Sequence, residues 1–132
     1  MYDNNLSYND LMYIRDFDSC LFRELCRRFL WYYCMATEPD FYNSEHMYLK
    51  TICDRLQAFI ETNDNKYFVL SIPPQHGKSR TIKKLEEWIL GNDIKKRFFS
   101  ISYNGEYATD SSKHLLTAIS AEQEDDKIVF CD

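Results

Sequence analysis

The stretch YFVLSIPPQHGKS, residues 67–79, runs from an almost unbroken apolar segment through two prolines into Gly77-Lys78-Ser79. Tyr67, Phe68, Val69, Leu70 and Ile72 are interrupted only by Ser71, a pattern that suits a strand covered on both faces, as in a parallel sheet. Pro73-Pro74 would end that strand, since proline offers no ladder donor. Beyond Ser79 the apolar residues Ile82, Leu85, Trp88 and Ile89 recur at helical spacing. Gly91 is expected to supply left-handed geometry at the C-terminus of that helix. Residues 97–102, RFFSIS, read as a second buried strand. Tyr103, Asn104 and Gly105 then turn into a helix carrying Tyr107, Ala108, Ser111, Leu115, Leu116 and Ile119. The order over residues 66–120 is therefore β-α-β-α, which predicts a parallel pair joined by a right-handed crossover.

Towards the N-terminus the reading is helical. Residues 1–10 are polar and read as a loose arm. From 19 to 36 the apolar positions Phe22, Leu25, Cys26, Phe29, Leu30 and Tyr33 predict one amphipathic helix, ended by Pro39 because its ring disfavours helical geometry at the preceding residue. A second helix is predicted over 44–61, with Leu49, Ile52, Cys53, Leu56, Phe59 and Ile60 on one face and Ser44 or Asn43 as its cap. Residues 62–65, TNDN, read as a turn. The chain divides on this basis into an arm and helix over 1–43 and a second region over 44–132, packed as one compact unit.

Composition limits the function classes. The 132 residues are 45% hydrophobic and 16% aromatic, enough for one packed domain, and three Gly with three Pro are too few for a turn-rich all-β architecture. A net charge of −5 gives no general surface for nucleic acid. The basic pairs and triplets at Lys83-Lys84 and Lys95-Lys96-Arg97, and the acidic run at Glu122, Glu124, Asp125 and Asp126, read as solvated faces. The five cysteines, at 20, 26, 34, 53 and 131, form no CxxC pair and are odd in number, which argues against a disulfide scaffold and points to a reducing compartment. No apolar run reaches the roughly 18 residues a bilayer span requires. A soluble protein of the cytoplasm is expected, without membrane partners.

The Gly-Lys-Ser tripeptide has chemistry to offer where it stands. Between a strand and a helix, Gly77 would let backbone approach an anion, and the open amides of the helix start would point at phosphate oxygens. Lys78 would bring charge to the β- and γ-phosphates and the Ser79 hydroxyl would ligate Mg²⁺. The usual phosphate loop opens with a glycine five residues before Gly77, where this chain has Ile72. The plainer alternative is a chance tripeptide at a helix N-terminus.

FVLSIPPQHGKS (68–79), followed by WILGND (88–93), KKRFFSISYN (95–104) and GEYA (105–108), resembles the large subunit of phage terminases. That family has a P-P-x-H-G-K-S loop lacking the first glycine, and the similarity extends over residues 39–119. The resemblance implies an α/β fold in which N-terminal helices precede a partial P-loop NTPase β-α-β-α unit with parallel strands. It implies an ATPase that packages viral DNA, with ATP and Mg²⁺ as cofactors and with portal protein, small terminase subunit and double-stranded DNA as partners. Phosphate binding is implied for Pro74, Gln75, His76, Gly77 and Lys78, and metal binding for Ser79. Tyr103 and Asn104 could sense nucleotide or DNA, or simply form a turn, and His46 reads as a cap or packed residue.

Gln75 stands where many family members carry a basic residue. The family's Walker B acid, coupling motif and nuclease carboxylates are expected beyond the reach of this chain, leaving a fragment able to bind ATP and poor at hydrolysing it. KIVFCD, residues 127–132, reads as a terminal strand or tail, or alternatively as a Walker B strand. A different class of function, a terminase-derived module that inhibits or decoys a host or phage protein without ATPase activity, would draw its interface from Phe29, Leu30, Trp31, Tyr32 and Tyr33. A third, a small P-loop kinase unrelated to terminases, would need lid arginines that the chain scarcely provides.

Overall fold

A computed structural model describes residues 5–62, 64, 66–102, 104–121 and 130. Six α-helices carry the described secondary structure: α1 (Tyr8–Phe17), α2 (Ser19–Arg28), α3 (Leu30–Thr37), α4 (Met47–Thr62), α5 (Lys78–Asn92) and α6 (Gly105–Ala121), with one 3-10 turn at Ser44–His46 before α4.

The arm expected over residues 1–10 gives way to helix at Tyr8. Ser7 and Asp10 form a reciprocal capping box: the Asp10 amide donates to Ser7 Oγ and the Ser7 amide to the Asp10 carboxylate at 2.9 Å. One turn on, Leu11 is fully buried, which ties α1 to the core. Asp18 then caps α2 by accepting from the amides of Cys20 and Leu21.

The single helix expected over 19–36 is two helices. Phe29 adopts an extended conformation between α2 and α3, and the break is satisfied from α4: Gln57 accepts from the Leu30 amide at 2.9 Å and donates to the Arg28 carbonyl at 2.8 Å. Apolar periodicity runs through Phe29 without interruption, so spacing could not reveal a break that a distant side chain stabilises. The change of direction makes α3 the central helix. Every residue from Leu30 to Ala36 is buried, whereas α2 buries only Phe22, Leu25 and Cys26. The core joins α1 through α5 in one cluster, with Tyr33, Tyr42, Leu30 and Leu49 among its fully buried side chains.

α4 starts after the 3-10 turn, where Asn43 accepts from the Glu45 amide. α5 lies against the bundle through Leu85 and Trp88, and the Trp88 indole N–H donates to the Cys26 carbonyl at 3.0 Å. Gly91 lies inside α5 and is not left-handed. It serves close approach instead, because a Cβ there would overlap the Phe130 ring.

The α/β expectation is overturned. Among the described residues there is no strand. Residues 67–72 and 97–102 form neither helix nor strand, and Leu70 and Ile101 border a common groove with Ile82 of α5 and Ala108 of α6, yet no backbone hydrogen bond joins the two segments. Tyr67, Val69, Phe99 and Ile101 are 86%, 89%, 94% and 92% exposed. A parallel pair is stable when both faces are covered and several strands share the ladder. Here α5 and α6 offer cover on one side of two short segments, so their apolar pattern is not converted into a sheet. Asn104 caps α6 by accepting from the Glu106 amide, without a preceding strand. Tyr103 and all of 127–132 except Phe130 lie outside the described residues.

Candidate functional site

The segment between the first extended run and α5 folds as a tight turn with two residues at positive φ, Gln75 at 63° and Gly77 at 83°. Gly77 is the N-cap of α5, so the first-turn amides of that helix have no side-chain cap. Left-handed backbone suits glycine, and the site adds a steric requirement: a Cβ on Gly77 would come within 2.6 Å of the Phe41 ring. A non-glycine residue at φ 63° is uncommon, and Gln75 holds that conformation in an exposed turn.

Pro73, Pro74, Gln75, Gly77, Lys78, Ser79, Arg80 and Phe41 line a cleft of about 400 Å³. Five of the six residues singled out in the sequence are thereby gathered around one space. His76 is not among its walls. Its ring Nδ1 donates to the Pro74 carbonyl at 2.8 Å, bracing the turn from outside, while Tyr48 Oη donates to the His76 carbonyl at 3.4 Å. His46, from the turn before α4, stacks on Phe41 with ring centres 5.4 Å apart and donates through Nδ1 to the Phe41 carbonyl. It is a packed residue of the cleft's outer wall. Lys78 and Ser79 are exposed, and neither side chain has a hydrogen bond or ion pair among the described residues.

No family model matches the chain, and no curated protein or solved structure matches it either. One helix start with open amides, one lysine, one serine hydroxyl and one arginine make a place for a polyanion. Ser79 gives a metal ion a single protein oxygen, and among the described residues no group of three or more His, Cys, Asp or Glu side chains converges on a metal-binding position.

Linked to the cleft through Arg80 and Glu38 is a set of buried charges, and it corrects the reading of Lys83-Lys84 as a solvated face, because Lys84 is inside. Lys84 is 6% exposed and Glu87 5% exposed. Lys84 Nζ donates to Glu87 Oε2 at 3.0 Å and lies 3.3 Å from Glu38 Oε1, and Tyr33 Oη donates to the same Glu87 oxygen at 3.1 Å. Glu87 Oε1 is buried without a hydrogen bond, 3.4 Å from the ring of His114 on α6. Burial opposes the charge on Lys84, but the facing carboxylates of Glu87 and Glu38 outweigh it and hold its pKa above the ordinary lysine value. Glu38 also reaches Arg80, whose Nε is 3.6 Å from Oε2. Next to this set, the buried hydroxyls of Tyr42 and Thr81 share a hydrogen bond of 3.2 Å. The signal for Lys84 was present in the sequence, since a lysine directly beside Leu85 and four residues before Trp88 falls on the apolar stripe of the helix. Phe41 and Arg80 carried no such signal: Phe41 lies 36 residues before Gly77 and meets it only in the fold.

Proposed function

We propose that residues 73–79, together with the first turn of α5, bind the phosphates of ATP with Mg²⁺, and that the chain is a nucleotide-binding part of a terminase-type DNA-packaging ATPase. The observation that carries this reading is the left-handed Gly77 at the uncapped start of a 15-residue helix, with Lys78 and Ser79 free beside it in one cleft. Backbone amides and the helix dipole would meet the phosphates, and Lys78 would neutralise charge. The Ser79 hydroxyl would take one position on Mg²⁺, leaving the others to phosphate oxygens and water. The order of motifs in the sequence, not the fold, supports the terminase assignment. Portal protein, small terminase subunit and double-stranded DNA are the partners this reading implies.

Hydrolysis needs a positioned water and a carboxylate to orient it, and among the described residues no acidic side chain borders this cleft. The chain alone is expected to bind and not to turn over. Titration with a fluorescent ATP analogue should show Mg²⁺-dependent binding that Lys78→Ala weakens about tenfold or more, the worth of one charge-assisted phosphate contact. Absence of saturable binding by the intact chain would remove the reading, and ATP turnover abolished by Lys78→Ala would remove the claim of inactivity.

The second reading, a protein-binding module without ATPase activity, loses the interface first considered for it. Leu30, Trp31, Tyr32 and Tyr33 are 0%, 5%, 2% and 1% exposed. What supports it now is the exposed apolar surface of Val69, Phe99 and Ile101. Biological activity that survives Lys78→Ala but not Val69→Asp would select it.

A further inference from the structure

Arg80 follows Ser79 in the first turn of α5 and borders the same cleft, although nothing in the sequence marked it out. Its guanidinium rests 4.4 Å above the centre of the Phe41 ring, the ring that also closes on Gly77. Among the described residues its acidic neighbour is Glu38, 3.6 Å away, longer than the 2.7–2.9 Å of a charge-assisted hydrogen bond. The Arg80 side chain is 52% exposed, so the pair is screened and contributes little. Glu38 would not be left alone if Arg80 moved, because its other oxygen stays 3.3 Å from Lys84.

We propose that Arg80 is a second cationic phosphate ligand of this cleft, held at rest on Phe41 and Glu38, and that it makes the site favour triphosphates over diphosphates. The inference rests on the phosphate-loop reading given above and adds a source of selectivity to it. Among the residues lining the cleft, Lys78 is the other cation. A guanidinium presents a planar fork that matches two phosphate oxygens, whereas an ammonium is a point charge. Each phosphate charge beyond what Lys78 and the helix start can neutralise therefore falls to Arg80. The aromatic support keeps the guanidinium beside the cleft and limits the conformational freedom lost when it turns inward.

The test uses the full chain and two metal-free probes, inorganic tripolyphosphate and pyrophosphate, titrated by calorimetry at fixed ionic strength. Wild type should bind tripolyphosphate more tightly than pyrophosphate. Arg80→Ala should weaken tripolyphosphate binding about tenfold and pyrophosphate binding less than about threefold, as expected for losing one charge-assisted contact to the terminal group. Arg80→Lys should recover only part of the difference. Helical circular dichroism of each variant guards against misfolding. If Lys78→Ala weakens binding while Arg80→Ala changes neither probe, the Arg80 assignment falls and the loop reading stands. If Arg80→Ala weakens both probes equally, the selectivity falls. If wild type binds neither probe, both readings fall.

Discussion

Lys84 sits on a helix face shared with Leu85 and Trp88, and its amine meets two carboxylates and the hydroxyl-bearing ring of Tyr33 5.8 Å away. Burying an ammonium is costly unless opposite charge is supplied at close range. Glu87 supplies it from the same helix and Glu38 from the end of α3, so the set links the helix behind the loop to the central helix. Removing the amine leaves Glu87 almost without water and short of its closest cation. Lys84→Ala should therefore destabilise the fold by about 3 kcal/mol or more, the range for breaking a buried pair on one side, measured by urea denaturation. Lys84→Met with Glu87→Leu removes both charges and should be markedly less damaging than the single change. A single substitution without measurable effect would mean that the pair is solvated in solution. The sequence revealed the loop because Gly77-Lys78-Ser79 are contiguous. The charges supporting it come from α3 and α5, nearly fifty residues apart, and only the fold brings Glu38 to Lys84.

At the scale of elements, the least visible decision is the separation of α2 from α3. Sequence periodicity extends through Phe29, and a continuous helix would have placed Tyr32 and Tyr33 on a different side from where the central helix needs them. The break leaves an amide and a carbonyl that Gln57 satisfies together. Gln57→Ala is predicted to cost about 1–3 kcal/mol, the penalty for leaving buried or partly buried backbone groups without partners, while Gln57→Glu keeps the acceptor for Leu30 and loses the donor for Arg28. Denaturation midpoints in the order wild type, Glu, Ala would support that division of roles. An Ala variant as stable as wild type would mean that water replaces the side chain. The helices α4, α5 and α6 were legible because each carries a sustained 3.6-residue pattern after a capping or turn signal. The two short apolar runs misled for a general reason: four to six apolar residues in a row state that burial is wanted and do not state what provides it. In this molecule α5 takes up the interior contact through Leu85 and Trp88, and the runs stay irregular and largely exposed.

For the molecule as a whole, cysteine burial ties stability to alkalinity. Burial pushes the Cys26 thiol up to about 12, and burial together with the neighbouring Cys53 raises Cys34 in the same direction. An unfolded chain would ionise these thiols near their ordinary value, so above about pH 8.5 it holds fewer protons than the folded chain. Stability contributed by the protonated thiols is complete below that pH and falls as pH rises towards the folded value, by about 1.4 kcal/mol per pH unit for each thiol. The raised pKa of Lys84 acts the same way, its contribution being lost only at still higher pH. Chemical denaturation at pH 7, 9 and 10 should show a small cysteine-dependent loss between the first two and a steeper loss per pH unit between the last two, and Cys26→Ala should flatten the slope. An unchanged slope would show that the thiol is accessible. Among the described residues no helix is long and apolar enough to cross a membrane.

The contacts that Lys84 makes with Glu38 and Glu87 makes with Tyr33, both reaching beyond α5, also fix an orientation. Successive residues of an α-helix are set 100° apart around the axis, and apolar side chains can tolerate a small roll of a helix against its neighbours because one methyl group substitutes for another. Two buried charges cannot. Rolling α5 by a single residue would carry the Lys84 ammonium away from Glu38 and the Glu87 carboxylate away from Tyr33. The polar pair thus acts as a key in a slot, and the direction in which the open amides at Gly77 face is set two turns away, by residues that never touch whatever those amides hold.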